Sequence, residues 1–230
     1  MGVSPHRVAL LNDPKLLGWW RNGLLQNGAA NWQNSIQRNA ADITLDSGTT
    51  FVSGAMKCTS TSAGASATSL STFDITGNWT VAQWLYWDAL PSSGKFCYTL
   101  ARVAVSPAYS GYALYYNGSD NEMKANVVSA GTAIETSPGS GFTPTVGTWH
   151  HFAASGDGVN LNLWVDGYLR NAKATAVLPG TNNAAITMGK HVSDPATYGY
   201  GQVRMRECMI YSRALNVFEI QELYKGFKPY

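Results

Sequence analysis

At 230 residues, 45% of them apolar, the chain is sized for one well-buried domain, and no linker-like change of composition divides it. Charged residues make up only 13%, with Lys+Arg 16 against Asp+Glu 14; the net charge of +2 and the scattered basic residues exclude a polybasic surface for nucleic acid or anionic lipid. No apolar run approaches the roughly 18 residues of a membrane span, and Cys58, Cys97 and Cys208, with no Cys-x-x-Cys pair among them, read as small buried hydrophobes.

The first twenty residues, "MGVSPHRVALLNDPKLLGWW", hold no uninterrupted apolar stretch after a basic start, so no export signal is expected. His6 stands where myristoylation would need Ser or Thr. A helical turn is expected after Asp13-Pro14, because proline is favoured at the first helical position. Leu16, Leu17, Trp19 and Trp20 either begin a strand or lie against another subunit. Residues 1–15 are therefore set apart as an N-terminal arm and 16–230 as the domain, with Leu10, Leu11, Leu16, Leu17 and Trp19 the candidate oligomer contact.

From there the chain reads as strands. "NWTVAQWLYW" (78–87), "FCYTLARV" (96–103), "YALYYN" (112–117), "MKANVVS" (123–129), "WHHFAAS" (149–155), "LNLWVDG" (161–167), "AITMG" (185–189) and "GQVRMRECMIYS" (201–212) are rich in β-branched and aromatic residues. Turn signals such as "NGSDN", "SPGSG" and "GDG" separate them. Roughly fourteen short strands, counting weaker ones, make a two-sheet sandwich, so the class is all-β. Within "WHHFAASGDGVNLNLWVDGYL", 149–155 reads as a strand buried on both faces. After a Gly-Asp-Gly turn, Leu161, Leu163 and Val165 alternate with Asn162, Trp164 and Asp166, which predicts a three-strand meander in the middle of a sheet. One helix is expected in "ALNVFEIQELYK", where Asn216 and Glu219 form a capping box ahead of an apolar stripe.

The segments "GTWHHFAASGDGVNLNLWVDGYL", "ITMGK" and "ECMIYSRALNVFEIQELY", with "FDITGNWTVAQWLYW" upstream, together resemble the laminin-G-like, concanavalin A-like jelly-roll family. The family shows a Trp-His-His strand, an aromatic-Val-Asp-Gly strand end and a closing Tyr-x-Arg-Ala-Leu before a short helix. "LLGWW" and "TTFVSGAMKC" are weaker matches to its opening strands. The resemblance implies a concanavalin A-like jelly-roll sandwich of two curved antiparallel sheets with one short C-terminal helix.

Glucanases of this fold carry closely spaced carboxylates on one strand, the arrangement that acid and nucleophile need. The nearest pairs here, Asp120/Glu122 and Glu219/Glu222, sit at a hairpin tip and on the helix, so no catalytic residue is assigned and no enzyme is expected. His150 and His151 are strand neighbours whose rings point to opposite faces and cannot chelate one ion. His191 and Asp194 are loop residues considered for the same role, and exposure is the plainer reading. No cofactor is assigned, although calcium, which members of the family often bind at the sandwich rim, has Asp157, Asn160, Asp166 and Asn182 as available donors. For glycans, Trp84 and Tyr86 share one strand face and Tyr112 and Tyr116 another, which makes these four the candidate binding face; inter-sheet core is the competing reading.

Two functions follow as expectations. The first is a structural module located in a virion, a capsid-decoration or tail protein that packs on other subunits as a homo-oligomer and contacts surface glycans. Its own Met1, the missing export signal and a low-charge composition rich in Gly, Ser, Thr, Asn and Ala favour it. The second is an extracellular carbohydrate-binding lectin module, calcium-dependent if the rim donors are used. A glycoside hydrolase is a distant third, and neither nucleic acid nor membrane insertion is expected.

Overall fold

The computed structural model describes residues 4–25, 31–36, 42–59, 63–67, 70–104, 110–136, 142–191 and 202–229. Asp194 lies outside the described residues. The first element is a helix, α1 (Pro5–Leu11), with Pro5 in its first turn. Pro5, and not Pro14, therefore starts the helix. Asp13 Oδ1 accepts the Lys15 amide at 2.8 Å and the Asp13 carbonyl accepts the Leu16 amide at 3.0 Å, so the chain makes one tight turn there. It then enters β1 (Leu16–Leu25), where cross-strand pairing of Leu16 with Tyr211 takes over from local propensity.

Sixteen strands are present among the described residues. After β1 come β2 (Asn31–Asn34), β3 (Ile43–Leu45), β4 (Thr49–Val52), β5 (Ala55–Cys58) and β6 (Ala65–Ala67). The long central strands are β7 (Trp79–Ala89), β8 (Phe96–Ala104), β9 (Ser110–Asn117) and β10 (Glu122–Ser129). Next are β11 (Thr132–Thr136), β12 (Trp149–Gly156), β13 (Asn160–Val165), β14 (Tyr168–Ala174), β15 (Thr187–Met188) and β16 (Gln202–Tyr211), and the chain closes with helix α2 (Val217–Gly226). All pairings are antiparallel, in the order β11-β10-β9-β8-β15-β6-β3-β2-β1-β16-β7-β12-β13-β14, with β5 also on β16 and β4 on β5. The meander β12-β13-β14 is therefore not central. β14 ends the path because its sequence, YLRNAKA, is exposed along nearly its whole length and offers no second apolar face for another strand to cover.

The path folds over into a sandwich, and period-two alternation decides what lies between its layers. Trp79, Val81, Leu85 and Trp87 of β7 point inward, as do Tyr112, Leu114 and Tyr116 of β9 and Leu161, Leu163 and Val165 of β13. Trp79 stacks on Tyr112 at 5.4 Å and Trp87 packs on Tyr116 at 5.3 Å. Burying each such ring contributes about 1.5–3 kcal/mol. Gly156 follows from this packing: a Cβ there would lie 2.4 Å from the Trp79 indole nitrogen. The buried Gln83 is satisfied, since it donates to Thr99 Oγ1 and Cys208 Sγ donates to its Oε1 at 3.6 Å. Cys58, Cys97 and Cys208 are all free thiols fully enclosed in this core, and burial pushes the Cys58 and Cys208 thiols far up from their ordinary pKa.

The opposite face of β7 and β12 is covered too. Small Ala82 and Ala153 admit the helices, and with Leu10, Leu16, Trp19, Trp164, Ile220 and Leu223 they form a second apolar cluster. The expected capping box is present: Asn216 Oδ1 accepts the Phe218 and Glu219 amides at 3.0 and 3.1 Å, and Glu219 Oε2 accepts the Asn216 amide at 2.9 Å. α1 docks on α2 through Arg7, which donates to the Gly226 carbonyl at 2.6 Å. Arg213 ties both ends together by pairing with Asp13 at 2.6 Å and Glu219 at 2.7 Å.

Candidate functional site

Strand register sets the outer surface beside the C-terminal end of α2. Lys57 pairs with Arg204, Arg204 with Tyr86 and Tyr86 with Trp149, so two cations and two aromatic rings form one row across β5, β16, β7 and β12. The next row is Arg206, Trp84 and His151. Outward residues of β7 alternate with its core residues, which is why Trp84, Tyr86 and Asp88 share this side.

In the first row Tyr86 and Trp149 are half-buried, with ring centroids 5.5 Å apart. The Arg204 guanidinium lies 4.6 Å from the Tyr86 centroid. Asp88 fixes it there, accepting from Nε at 3.0 Å and Nη2 at 2.5 Å, and also pairs with Lys57 at 3.1 Å. Burial pushes the Asp88 carboxyl up, but hydrogen bonds from Arg204 and Lys57 outweigh it and hold the group below the usual carboxylate range. In the second row the Arg206 guanidinium lies over Trp149 at 5.4 Å, and burial lowers its pKa. Beside it opens a cleft of about 610 Å³ whose wall includes Arg206, Glu207, Lys225, Phe227 and Lys228. Glu207 Oε2 accepts the Trp19 indole N–H at 2.7 Å, and Lys228 lies 5.9 Å from the Tyr224 ring.

The four expected aromatics do not form one face. Trp84, 1% exposed, is roofed by Tyr224, stacked on it at 5.5 Å, and flanked by His151 at 5.4 Å. Tyr112 and Tyr116, 1% and 0% exposed, lie between the sheets, where the Tyr112 hydroxyl donates to the Phe73 carbonyl at 3.4 Å. Inter-sheet packing claims both rings, so Tyr86 alone of the four offers surface. Leu10, Leu16 and Trp19 are buried inside the helix-covered cluster, Leu11 packs on that cluster, and Leu17 packs on the inter-sheet core. Leu10, Leu16 and Trp19 are thus committed within one chain, while Leu11 and Leu17 are half-buried. The N-terminal arm is accordingly part of the folded body, because its apolar residues fill the space under α2.

Three of the four oxygen donors weighed for calcium already accept hydrogen bonds within the fold. Asp157 Oδ1 accepts the Val159 and Asn160 amides at 2.8 and 2.6 Å, and Asn182 bonds the Ala184 amide and the Ser110 carbonyl. Asp166 takes His150 Nδ1 at 2.8 Å and the His151 amide at 2.9 Å. Among the described residues no three His, Cys, Asp or Glu side chains converge. The His150–Asp166 pair has half the geometry of a catalytic dyad, but the Thr145 amide points at His150 Nε2 from 3.4 Å, where a nucleophile would have to stand. His151, on the opposite face, is fully enclosed, and burial lowers its pKa to about 4. His191 is 5% exposed and meets Tyr98 edge-on at 4.5 Å, so it is buried and not a free loop ligand. Of the carboxylate pairs, Asp120 is tied to Lys124 and Asn117, and Glu219 to Arg213 and its cap.

Sequence reasoning passed over Trp149, Arg204 and Arg206. Their signal was available in "QVRMRE", where arginines two apart on a strand must share a face. The neighbour across each strand, which makes them a site, is set by register.

A family model described as the concanavalin A-like lectin/glucanases superfamily matches residues 59–221. A search of curated protein sequences returns no match. Among solved structures, Trypanosoma rangeli sialidase in complex with sialic acid superposes with a TM-score of 0.69 at 18% identity, over 91% of this chain and 32% of the sialidase. The binding domain of Paraclostridial mosquitocidal protein 1 gives 0.71 at 13%, over 93% of this chain and 52% of that one. Botulinum neurotoxin type C, in a structure concerned with cell entry through two ganglioside molecules, gives 0.72 at 11%, over 96% and 53%. The chain thus spans about a third to a half of these proteins, and at such identities the likeness is one of fold. With the family match covering most of its length and the sandwich observed, this chain belongs to the concanavalin A-like lectin/glucanases superfamily.

Proposed function

We propose that the chain is a non-enzymatic recognition module that binds carbohydrate on the outer face of the β5-β16-β7-β12 layer. The observation that carries the reading is the half-exposed pair Tyr86 and Trp149, side by side at 5.5 Å and bordered by hydrogen-bonding cations on a face otherwise covered by helices. Rings held by strand register need little ordering to stack on a sugar. The sialic acid and ganglioside named for the sialidase and the neurotoxin belong to those proteins, and their shared fold supports the reading. A glycan array run with calcium and again with a chelator tests it. Binding is expected in both buffers, because the turn acids are already engaged, and Trp149→Ala should weaken it about tenfold. A blank array in both buffers would remove the proposal.

A second reading keeps the chain as a virion subunit that packs on other proteins as a homo-oligomer. Exposed apolar side chains on the helical pair support it: Val8 is 45% exposed, Val217 38% and Phe218 74%. The contact would then be these residues and not the buried leucines. Light scattering should show an oligomer that Phe218→Glu dissociates, and a wild type monomeric both in solution and on its native particle sinks the reading.

A further inference from the structure

Arg206 differs both from the paired arginines of the fold and from Arg21 and Arg170, which also lie over rings but are exposed to solvent. Arg102 pairs with Asp74, Arg204 with Asp88, and Arg213 with Asp13 and Glu219. Arg206 is drawn off the surface against Trp149, yet among the described residues its guanidinium donates no hydrogen bond and joins no salt bridge. The adjacent Glu207 acts on Arg206 through its charge, and it directs a carboxylate oxygen to the Trp19 indole. A partly desolvated guanidinium without an acceptor is unfavourable, and stacking on a ring leaves its in-plane N–H groups free to receive an anion in bidentate fashion. Lys225 and Lys228 add exposed positive charge to the same cleft. Its volume of about 610 Å³ is in the range of small-molecule sites.

Resting on the carbohydrate reading above, we propose that the ligand is an acidic saccharide, bearing a carboxylate or sulfate that Arg206 receives while Trp149 and Tyr86 pack on its sugar ring. A net charge of only +2 and a cationic cluster confined to one cleft suit a single acidic group better than a nucleic-acid backbone or a lipid surface.

The test uses the full chain and oligosaccharides in matched pairs, a neutral core and the same core carrying a carboxylate or a sulfate, titrated calorimetrically at low and moderate salt. The charged member should bind at least tenfold tighter, with the margin shrinking as salt rises. Arg206→Gln should erase that preference while its circular dichroism and Tm stay at wild-type values, and Arg206→Lys should keep part of it, having charge without the fork. Equal binding of both members, or a preference that survives in Arg206→Gln, overturns the inference and leaves carbohydrate binding standing. Failure to bind any oligosaccharide overturns both, and retention on single-stranded DNA or anionic vesicles in place of saccharides overturns the assignment of ligand class.

Discussion

At the scale of single residues, His151 shows how enclosure by aromatic rings sets a pH response. Its ring lies against Trp84 and Tyr224, its Nδ1 has no partner, and burial holds its pKa near 4 against an ordinary 6.5. The folded state therefore binds this proton less tightly than the unfolded chain. The stability from the neutral ring is fully present above about pH 6.5 and is lost as pH falls toward 4, on the order of 3 kcal/mol in all. Urea midpoints measured from pH 7 to 4.5 should fall in the wild type and stay nearly level in His151→Gln. Asp166 acts in a separate, lower window. Burial raises its pKa, but hydrogen bonds from His150 and the His151 amide win and depress it, so its contribution is lost only below about pH 4. An equal slope in wild type and variant would show that the ring is hydrated or partnered.

At the scale of elements, the two helices depend on one another. Leu10 is 3% exposed beneath α2, and Arg7, Asp13 and Lys15 bond to the C-terminal segment. Removing residues 1–11 should strip cover from Leu223 and Ile220 and cost about 2 kcal/mol or more, a drop in Tm of about 4–8 °C. A truncated chain that melts with the wild type would mean that the arm is detached. Asn216→Ala should cost about 1 kcal/mol through the cap alone, or about 2–4 °C. α2 was legible because its capping box is local, four residues that read the same in any context. α1 was not, since Pro5 and Pro14 are equal candidates until the pairing of Leu16 with Tyr211 claims the second as a turn. β14 was misplaced for a related reason: alternation in β13 shows that it has a core side but not how many strands lie beyond it.

At the scale of the whole molecule, the sandwich class was readable from short alternating runs and turns, and the sense of alternation held in β7 and β13. The binding face was harder to read because β7 is covered on both sides, one by the second sheet and the other by helices. Hydrophobicity then cannot separate surface from core, and Trp84, Tyr112 and Tyr116 look like Tyr86 in sequence while only Tyr86 reaches solvent. Insensitivity to a chelator belongs to this scale too: melting temperature with excess calcium and with chelator should agree within about 1 °C, and a rise with calcium would place an ion on donors that the turns now hold.

The enclosure of all three thiols has a practical reading. Thiolate is the reactive form, and in the core it is suppressed by burial as well as shielded from reagent. The native protein should ignore an alkylating agent at pH 8, and each molecule should gain three adducts only when its sandwich opens. Mass spectrometry of timed aliquots would then count openings directly. A cysteine placed on the Arg206 face would be the one position to take a fluorophore, so the chain comes with its own background already silent.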